Sequence, residues 1–160
     1  MGKFNLNEKD FDEVKKNAEE FYVAIVEVYC PYFKEKVPFN SKGLRHLKFK
    51  TNQQARSRED QYVRLKLLSL APRILKESHT LQGIWKHKQF ESQKTNSRWE
   101  HVVKDVIFYE FIAVLDNLRA KVIVKEVHGG EKHFWSVIPY WGIDKNNSKR
   151  ILYSGDPNHD

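Results

Sequence analysis

"KVIVKEVHGGEKHFWSVIP", residues 121–139, decides the fold of this chain. Two runs in which apolar and polar residues alternate flank Gly129 and Gly130, and a Gly-Gly pair in that position predicts a β-hairpin with a two-residue turn. The preceding run "VIFYEFIAVL", residues 106–115, is apolar enough to form a central strand. The second half of the chain therefore predicts antiparallel strands.

The first half of the chain carries helical spacing instead. Apolar residues recur every three or four positions over residues 8–28 and 59–77, which predicts two amphipathic helices, the second bent or divided by Pro72. Ser41 predicts the cap of a short helix between them, and residues 51–60 ("TNQQARSRED") are polar enough to predict a surface loop. Helices first and antiparallel strands last indicate an α+β fold.

Length and composition indicate one domain over residues 1–160, with a loosely ordered tail at residues 144–160. With 31% charged residues and no long apolar run, the chain does not read as a membrane protein. No apolar stretch follows Lys3 as it would in a secretory signal, so we expect a cytoplasmic protein. The single cysteine, Cys30, excludes an internal disulfide and a cysteine-rich zinc site.

The charge of the chain is strongly uneven. The formal net charge is +7, but residues 1–30 carry −3 and residues 42–104 carry +10. A basic segment of this kind predicts a polyanionic partner such as RNA, although a merely solvated surface explains it too.

The hairpin turn sets a register with consequences for Ser136. A two-residue turn opposes residues whose numbers sum to 259, which places Ser136 on one face with Lys121, Lys125 and Phe134. A hydroxyl beside cations and an aromatic ring suits a phosphate and a stacked base. The alternative is that Phe134 and Ile138 bury this face, with Ser136 bonded to a neighbouring carbonyl.

The same register gathers Glu126, His128, Glu131 and His133 near the turn. Two imidazoles and two carboxylates are possible ligands for a divalent metal. A solvated hairpin tip with Glu–His pairs is the alternative, and it is the one we expect because no helix-borne motif stiffens the cluster.

His46 is the most interesting histidine because Lys42, Arg45, Lys48 and Lys50 surround it in sequence. Nearby cations disfavour the imidazolium, so we expect a lowered pKa and a neutral imidazole that can serve as a general base. The alternative is that His46 caps or packs its short helix.

These residues suggest RNA cleavage by attack of a 2′-hydroxyl on the neighbouring phosphate. That reaction needs a base, cations for the developing charge and an acid, but no metal. We expect His46 as the base, Arg64 or Lys125 as the charge stabiliser, and Ser136 as a hydrogen-bond partner of phosphate or ribose. Competing motifs are missing from the sequence: it has no nucleophile elbow, P-loop or dinucleotide-binding turn.

Three segments resemble the bacterial and phage-associated nuclease superfamily that groups barnase, EndoU, colicin D and RelE, in particular its small phage-associated branch. They are "RHLKF" (45–49), "RLKLLSLAPRILKES" (64–78) and the hairpin quoted first. The resemblance is one of pattern and order. It covers a nuclease-like core over residues 37–140 and leaves residues 1–30 as an N-terminal helical extension.

The resemblance implies helices packed on a four- or five-stranded antiparallel sheet, cleavage of RNA without metal or cofactor, and a toxin or antiphage effector held by an acidic antitoxin or immunity protein. The catalytic positions correspond to His46, Arg64, Lys125 and Ser136, with Trp135 or His133 as alternatives to Ser136. The residues expected to bind RNA are Lys42, Arg45, Lys48, Lys50, Lys121 and Trp135. A non-catalytic RNA-binding module of the same fold is the alternative function, and an interaction protein without an RNA role is a third.

Overall fold

The computed structural model describes residues 8–51, 53–95, 98–140 and 156–160. In chain order the elements are α1 (Glu8–Ile25), β1 (Glu27–Cys30), β2 (Glu35–Pro38), α2 (Ser41–Lys48), α3 (Arg58–Leu67), a 3₁₀ turn (Leu68–Leu70), α4 (Ala71–Glu77), β3 (Gly83–Thr95), β4 (Arg98–Leu115), β5 (Leu118–Val127) and β6 (Lys132–Pro139). Strands β3 to β6 form one antiparallel sheet in chain order, and β1 pairs only with β2. The predicted α+β fold with N-terminal helices is confirmed.

The first helix is shorter than the sequence predicts. It ends at Ile25, and Val26 has a positive φ of 61°, a conformation that a β-branched residue rarely adopts within a helix. The next four residues form β1, in which Val28 pairs with Val37. Residues 26–28 suit both the helical spacing and a strand, and the pairing with β2 decides between them.

Pro72 divides the second predicted helix, as expected. A 3₁₀ turn at Leu68–Leu70 separates α3 from α4, and Pro72 lies in the first turn of α4. Proline is tolerated there because the first amides of a helix have no intrahelical acceptor.

Helix α1 belongs to the core rather than extending from it. Ala18 and Tyr22 are buried in the main hydrophobic cluster, and the Tyr22 hydroxyl donates a hydrogen bond to the Asn40 main-chain oxygen. Asn40, not Ser41, caps α2, because its side-chain oxygen accepts from the amides of Lys42 and Gly43. Among the described residues, the division into an extension over residues 1–30 and a separate core is therefore wrong.

The predicted hairpin register holds for half of its length. Ile123 pairs with Ser136, as the sum of 259 requires, but Val124 pairs with Phe134 because a β-bulge lies between Ile123 and Val124. Trp135 is the extra residue in β6. Such a bulge shifts every residue between it and the turn to the opposite face.

The shift changes the surroundings of Phe134 and His133 relative to the predicted faces. Phe134 leaves the face of Ser136 and joins the core, where its ring stacks on Phe39 at 4.5 Å between centroids. His133 now pairs with Lys125 and shares that side of the hairpin. The prediction that Phe134 lies beside Ser136 is thus wrong.

The last five residues pack on the fold. Pro157 and Asp160 are buried, and the Pro157 main-chain oxygen accepts from the Trp135 indole at 3.2 Å. The expectation of a loosely ordered tail is therefore corrected for residues 156–160, whereas residues 144–155 lie outside the described residues. None of the described helices is long and apolar enough to cross a membrane.

Gly43 lets α2 approach β6 closely. A Cβ atom at Gly43 would collide with the Phe134 main-chain oxygen and lie 2.5 Å from Oη of Tyr22. We expect Gly43→Ala to lower the free energy of unfolding by about 2 kcal/mol, since a buried overlap forces the backbone to shift. Urea unfolding followed by circular dichroism measures it. Lys42→Ala, on the same helix but exposed, is the control and should stay within about 0.5 kcal/mol of the unsubstituted protein; equal stability of both variants would contradict the close approach.

Candidate functional site

A cleft of about 370 Å³ lies where α2, the chain after it, β3, the β5–β6 hairpin and residues 156–160 meet. We call it the basic cleft. Its walls carry four cationic side chains: Lys42, Arg45, Lys50 and Lys125. Within the described part of the chain no carboxylate side chain lines it. The lining of the basic cleft therefore carries net positive charge, which favours an anionic ligand.

Rings make up much of the remaining wall. Three of them are imidazoles, His46, His133 and His159, and Phe90 and Trp135 are aromatic neighbours. Flat rings next to cations suit a ligand that combines phosphates with planar bases.

His46 is buried and held in one protonation state. Its ring stacks on Trp135 at 3.9 Å, and its Nε2 lies 3.0 Å from the Arg56 guanidinium. A guanidinium can only donate, so Nε2 is the accepting nitrogen and the imidazole is neutral. Burial lowers the pKa of His46, and the charges of Arg56, Arg64 and Lys125 lower it further.

The expected direction of the His46 pKa shift is therefore confirmed, but its causes differ from those predicted. Burial comes first, followed by Arg56, which the sequence placed in a surface loop. Because Arg56 occupies the lone pair of Nε2, His46 is not placed to take a proton from a substrate hydroxyl. Its predicted role as general base is corrected on this ground.

Arg56, Asp60 and Arg64 form a buried ion network behind the basic cleft. The Asp60 carboxylate lies 3.3 Å from Nη1 of Arg56 and 2.7 Å from Nε of Arg64. Arg56 also donates to the His46 main-chain oxygen at 2.8 Å. The residues 56, 60 and 64 are four apart, which is the one sequence signal that could have revealed the network. Reading residues 51–60 as a loop missed it.

Ser136 is fully enclosed. Its hydroxyl accepts from Nη1 of Arg64 at 2.7 Å and donates to the Asp160 main-chain oxygen at 2.6 Å, and none of it is exposed. Arg64, 1% exposed, also donates to that oxygen. Neither side chain is therefore placed to contact substrate, which corrects the roles predicted for Ser136 and Arg64. Both residues instead join α3 to β6.

The imidazole of His133 has a hydrogen-bond acceptor that no described group satisfies. It is 4% exposed, and its Nε2 has no hydrogen-bond partner among the described residues. Burial lowers its pKa to about 4, helped by the nearby charges of Lys125 and Lys42, so the imidazole is neutral at pH 7.

Lys125 and Trp135 lie next to the buried histidines: Trp135 stacks on His46, and Lys125 pairs with His133 across the hairpin. The Lys125 ammonium lies 4.3 Å from the centre of the Trp135 ring, a cation–π contact. Both residues line the basic cleft. Their predicted roles, Lys125 as a charge stabiliser and Trp135 in RNA binding, stay predictions.

His159 is a functional candidate that the sequence reasoning missed. Its Nδ1 lies 2.8 Å from the Asp156 carboxylate, and its side chain is 38% exposed at the basic cleft. A carboxylate at Nδ1 fixes the tautomer and leaves Nε2 able to accept a proton. The sequence signal is Asp156 three residues before His159 in "DPNH", residues 156–159. It lies in the segment that the sequence predicts to be a loosely ordered tail.

Two predicted RNA-binding lysines lie elsewhere. The Lys48 ammonium pairs with Glu19 at 3.0 Å, and the Lys121 ammonium is buried against the Glu110 carboxylate at 2.5 Å. Neither lines the basic cleft. Their charges are compensated within the fold, so they are not placed to bind RNA in the basic cleft.

The possible metal site at the hairpin tip gains no support. Glu126 instead accepts a hydrogen bond from the Tyr109 hydroxyl at 2.7 Å. The other predicted members are His128, Glu131 and His133. The described residues contain no group of three or more His, Cys, Asp or Glu arranged to hold a metal ion.

Comparison of the chain with protein-family models, with curated proteins and with solved structures gives no match. The resemblance to the nuclease superfamily therefore stays a prediction, and function rests on the geometry of the basic cleft.

The two buried neutral histidines make stability depend on pH. In the unfolded chain His46 and His133 take up protons near pH 6.5, whereas in the folded protein their lowered pKa values prevent this. We expect the free energy of unfolding to fall by about 2 kcal/mol per histidine between pH 7 and pH 5. Urea titrations at both pH values measure the loss.

The matched variants are His133→Gln and His79→Gln, the latter at an exposed histidine outside the cleft. The first should remove about 2 kcal/mol of the pH dependence, because the side chain no longer titrates, and the second should remove almost none. A free energy of unfolding that does not change between pH 7 and pH 5 would contradict the assignment.

Proposed function

We propose that this protein is an endoribonuclease that binds RNA in the basic cleft and cleaves it without a metal ion. The observation that carries the proposal is a cleft with four cations, three imidazoles and no lining carboxylate among the described residues. A polyanion binds favourably in such a site because its phosphates meet several cations close together.

Lys42, Arg45, Lys50 and Lys125 would position the RNA backbone. Lysine and arginine contacts to phosphate carry no sequence information but fix where the strand lies. Among these four cations, Lys125 lowers the pKa of both His46 and His133 by its charge. A phosphate bound there would offset the repulsion among these cations.

The chemistry is the attack of a ribose 2′-hydroxyl on the adjacent phosphate. Nε2 of His159, oriented by Asp156, takes the hydroxyl proton, and the 2′-oxygen forms its bond to phosphorus. Lys125 stabilises the added negative charge. The bond to the 5′-oxygen breaks, that oxygen takes a proton from water, and a 2′,3′-cyclic phosphate remains.

This assignment differs from the one that the sequence alone suggests. His46 is not the general base, because Arg56 already binds its Nε2. Ser136 is not a substrate contact, because its hydroxyl already binds Arg64. They become positioning residues, since His46 supports the Trp135 ring and Ser136 holds Arg64.

The decisive experiment is incubation of RNA with the pure protein in EDTA. We expect products that end in 2′,3′-cyclic phosphates, and a rate that falls about 100-fold or more in His159→Asn, because general base catalysis contributes that much. His79→Asn, at an exposed histidine outside the cleft, should cleave at the unsubstituted rate.

Three results would count against this mechanism. Activity that appears only with added magnesium rules out the metal-free route. Equal rates for the two variants rule out His159 as the base. Products without cyclic phosphates rule out attack by the 2′-hydroxyl.

The second candidate function is a non-catalytic RNA-binding module. The enclosure of Ser136 and the engagement of His46 by Arg56 favour it, because they leave His159 as the only solvent-exposed imidazole lining the described part of the cleft. It predicts RNA that stays intact in the same assay while binding persists. An interaction protein without an RNA role would bind no RNA even at low salt.

Binding has its own test at the cations. The double variant Lys42→Ala/Lys50→Ala should weaken RNA binding equally for different sequences and reduce the slope of log affinity against log salt by about 1 to 2. Fluorescence anisotropy over a salt series measures this, with Lys76→Ala on α4 as the control. An unchanged slope would place the RNA elsewhere.

The same cations would bind an acidic antitoxin or immunity protein in the cytoplasm, which is the partner that a toxin requires. Such a partner would compete with RNA for the basic cleft.

A further inference from the structure

The β3–β4 hairpin is longer than the sheet it belongs to. Strands β3 and β4 pair over thirteen positions, from Gly83↔Glu110 to Thr95↔Arg98, whereas β5 pairs with β4 only from Val106 onward. Residues 88–95 and 98–105 therefore form a two-stranded ribbon that no third strand joins within the described part of the chain. We call it the ribbon.

Large apolar side chains are exposed on the ribbon. Phe90 is 76% exposed, Trp99 73% and Val103 53%. Phe90 pairs directly with Val103, and Trp99 lies four residues from Val103 on the same strand, so all three share one face. Exposed aromatic side chains on one face of a projecting element commonly mark a binding surface.

The ribbon is continuous with the basic cleft, because Phe90 lines that cleft together with Lys125 and Trp135. From the Phe90–Val103 pair, Trp99 lies roughly 13 Å further along, at about 3.3 Å per strand residue. Lys88, also exposed, shares the face of Phe90. A strand of nucleotides that leaves the cleft at Phe90 would thus meet a second ring at Trp99.

We propose that the ligand is single-stranded RNA, and that the ribbon binds the part of the strand that extends beyond the basic cleft by stacking bases on Phe90 and Trp99. This rests on the proposed function and names its substrate class. A duplex keeps its bases stacked on each other, whereas a single strand offers each base to a ring.

A second copy of this chain is the competing occupant, and the exposed area argues against it. Stable protein interfaces bury about 800 Å² on each partner, more than the three exposed apolar side chains among the described residues of the ribbon supply. Nucleic acid needs only one ring for each base that it stacks.

The test compares two single-stranded 2′-O-methyl RNA oligonucleotides, which cannot be cleaved by 2′-hydroxyl attack. One has about four nucleotides and fills the cleft alone, and the other has about twelve and reaches the ribbon. We expect Trp99→Ala to weaken the long oligonucleotide about tenfold, the usual loss for one stacked base, and to leave the short one unchanged. Trp99→Phe should restore most of the affinity.

Tyr29→Ala is the matched control, because Tyr29 is a 51% exposed aromatic on β1, away from the ribbon. It should bind both oligonucleotides like the unsubstituted protein. Binding is measured by fluorescence anisotropy, and the folding of each variant is checked by circular dichroism.

The outcomes separate this inference from the proposed function. If neither oligonucleotide binds, both proposals fail. If the short one binds and the long one binds no more tightly, only the ribbon proposal fails. It fails equally if Trp99→Ala weakens both oligonucleotides alike, or if sedimentation shows a dimer that Trp99→Ala dissociates while RNA affinity is unchanged.

Discussion

Two buried guanidiniums that share the Asp60 carboxylate hold α2, α3, β6 and residues 156–160 together. Arg56 and Arg64 are 7% and 1% exposed, and both contact Asp60. A buried cation is strongly unfavourable unless it is paired and all its donors are bonded. The Asp60 carboxylate accepts one hydrogen bond from each guanidinium, so the remaining donors need oxygens from elsewhere. They find them on the main chain at His46, His159 and Asp160.

That requirement ties distant segments together. The oxygens come from α2 and from residues 156–160, and Ser136 of β6 provides one more acceptor for Arg64. These elements must therefore occupy their places at the same time, and the wall of the basic cleft is what their meeting creates. The cleft is rigid on that side because moving any one element would leave a buried guanidinium unpaired.

The bulge in β6 decides which side chains face the core and which face the basic cleft. By adding Trp135 opposite β5, it lets Phe134 pack into the core while Trp135 stacks on His46 and His133 lies beside Lys125. A regular strand would alternate these residues strictly and could not serve the core and the cleft together. The resulting cleft brings the neutral imidazoles of His46 and His133 together with four cationic side chains, which is why a polyanion fits it better than a neutral ligand.

The sequence by itself determined the local features of this protein: the α+β order, the break at Pro72 and the hairpin at Gly129, because turn chemistry and hydrophobic periodicity act over a few residues. The basic wall formed by residues 42–50 was also readable, since it lies on one short helix and the chain that follows. Only the tertiary structure decided the bulge, the burial of Arg56 and the placement of His159. Arg56, for example, donates to the main-chain oxygen of His159, which lies 103 residues away in the sequence. That contact depends on the free energy of burying a charge, which no local sequence pattern encodes.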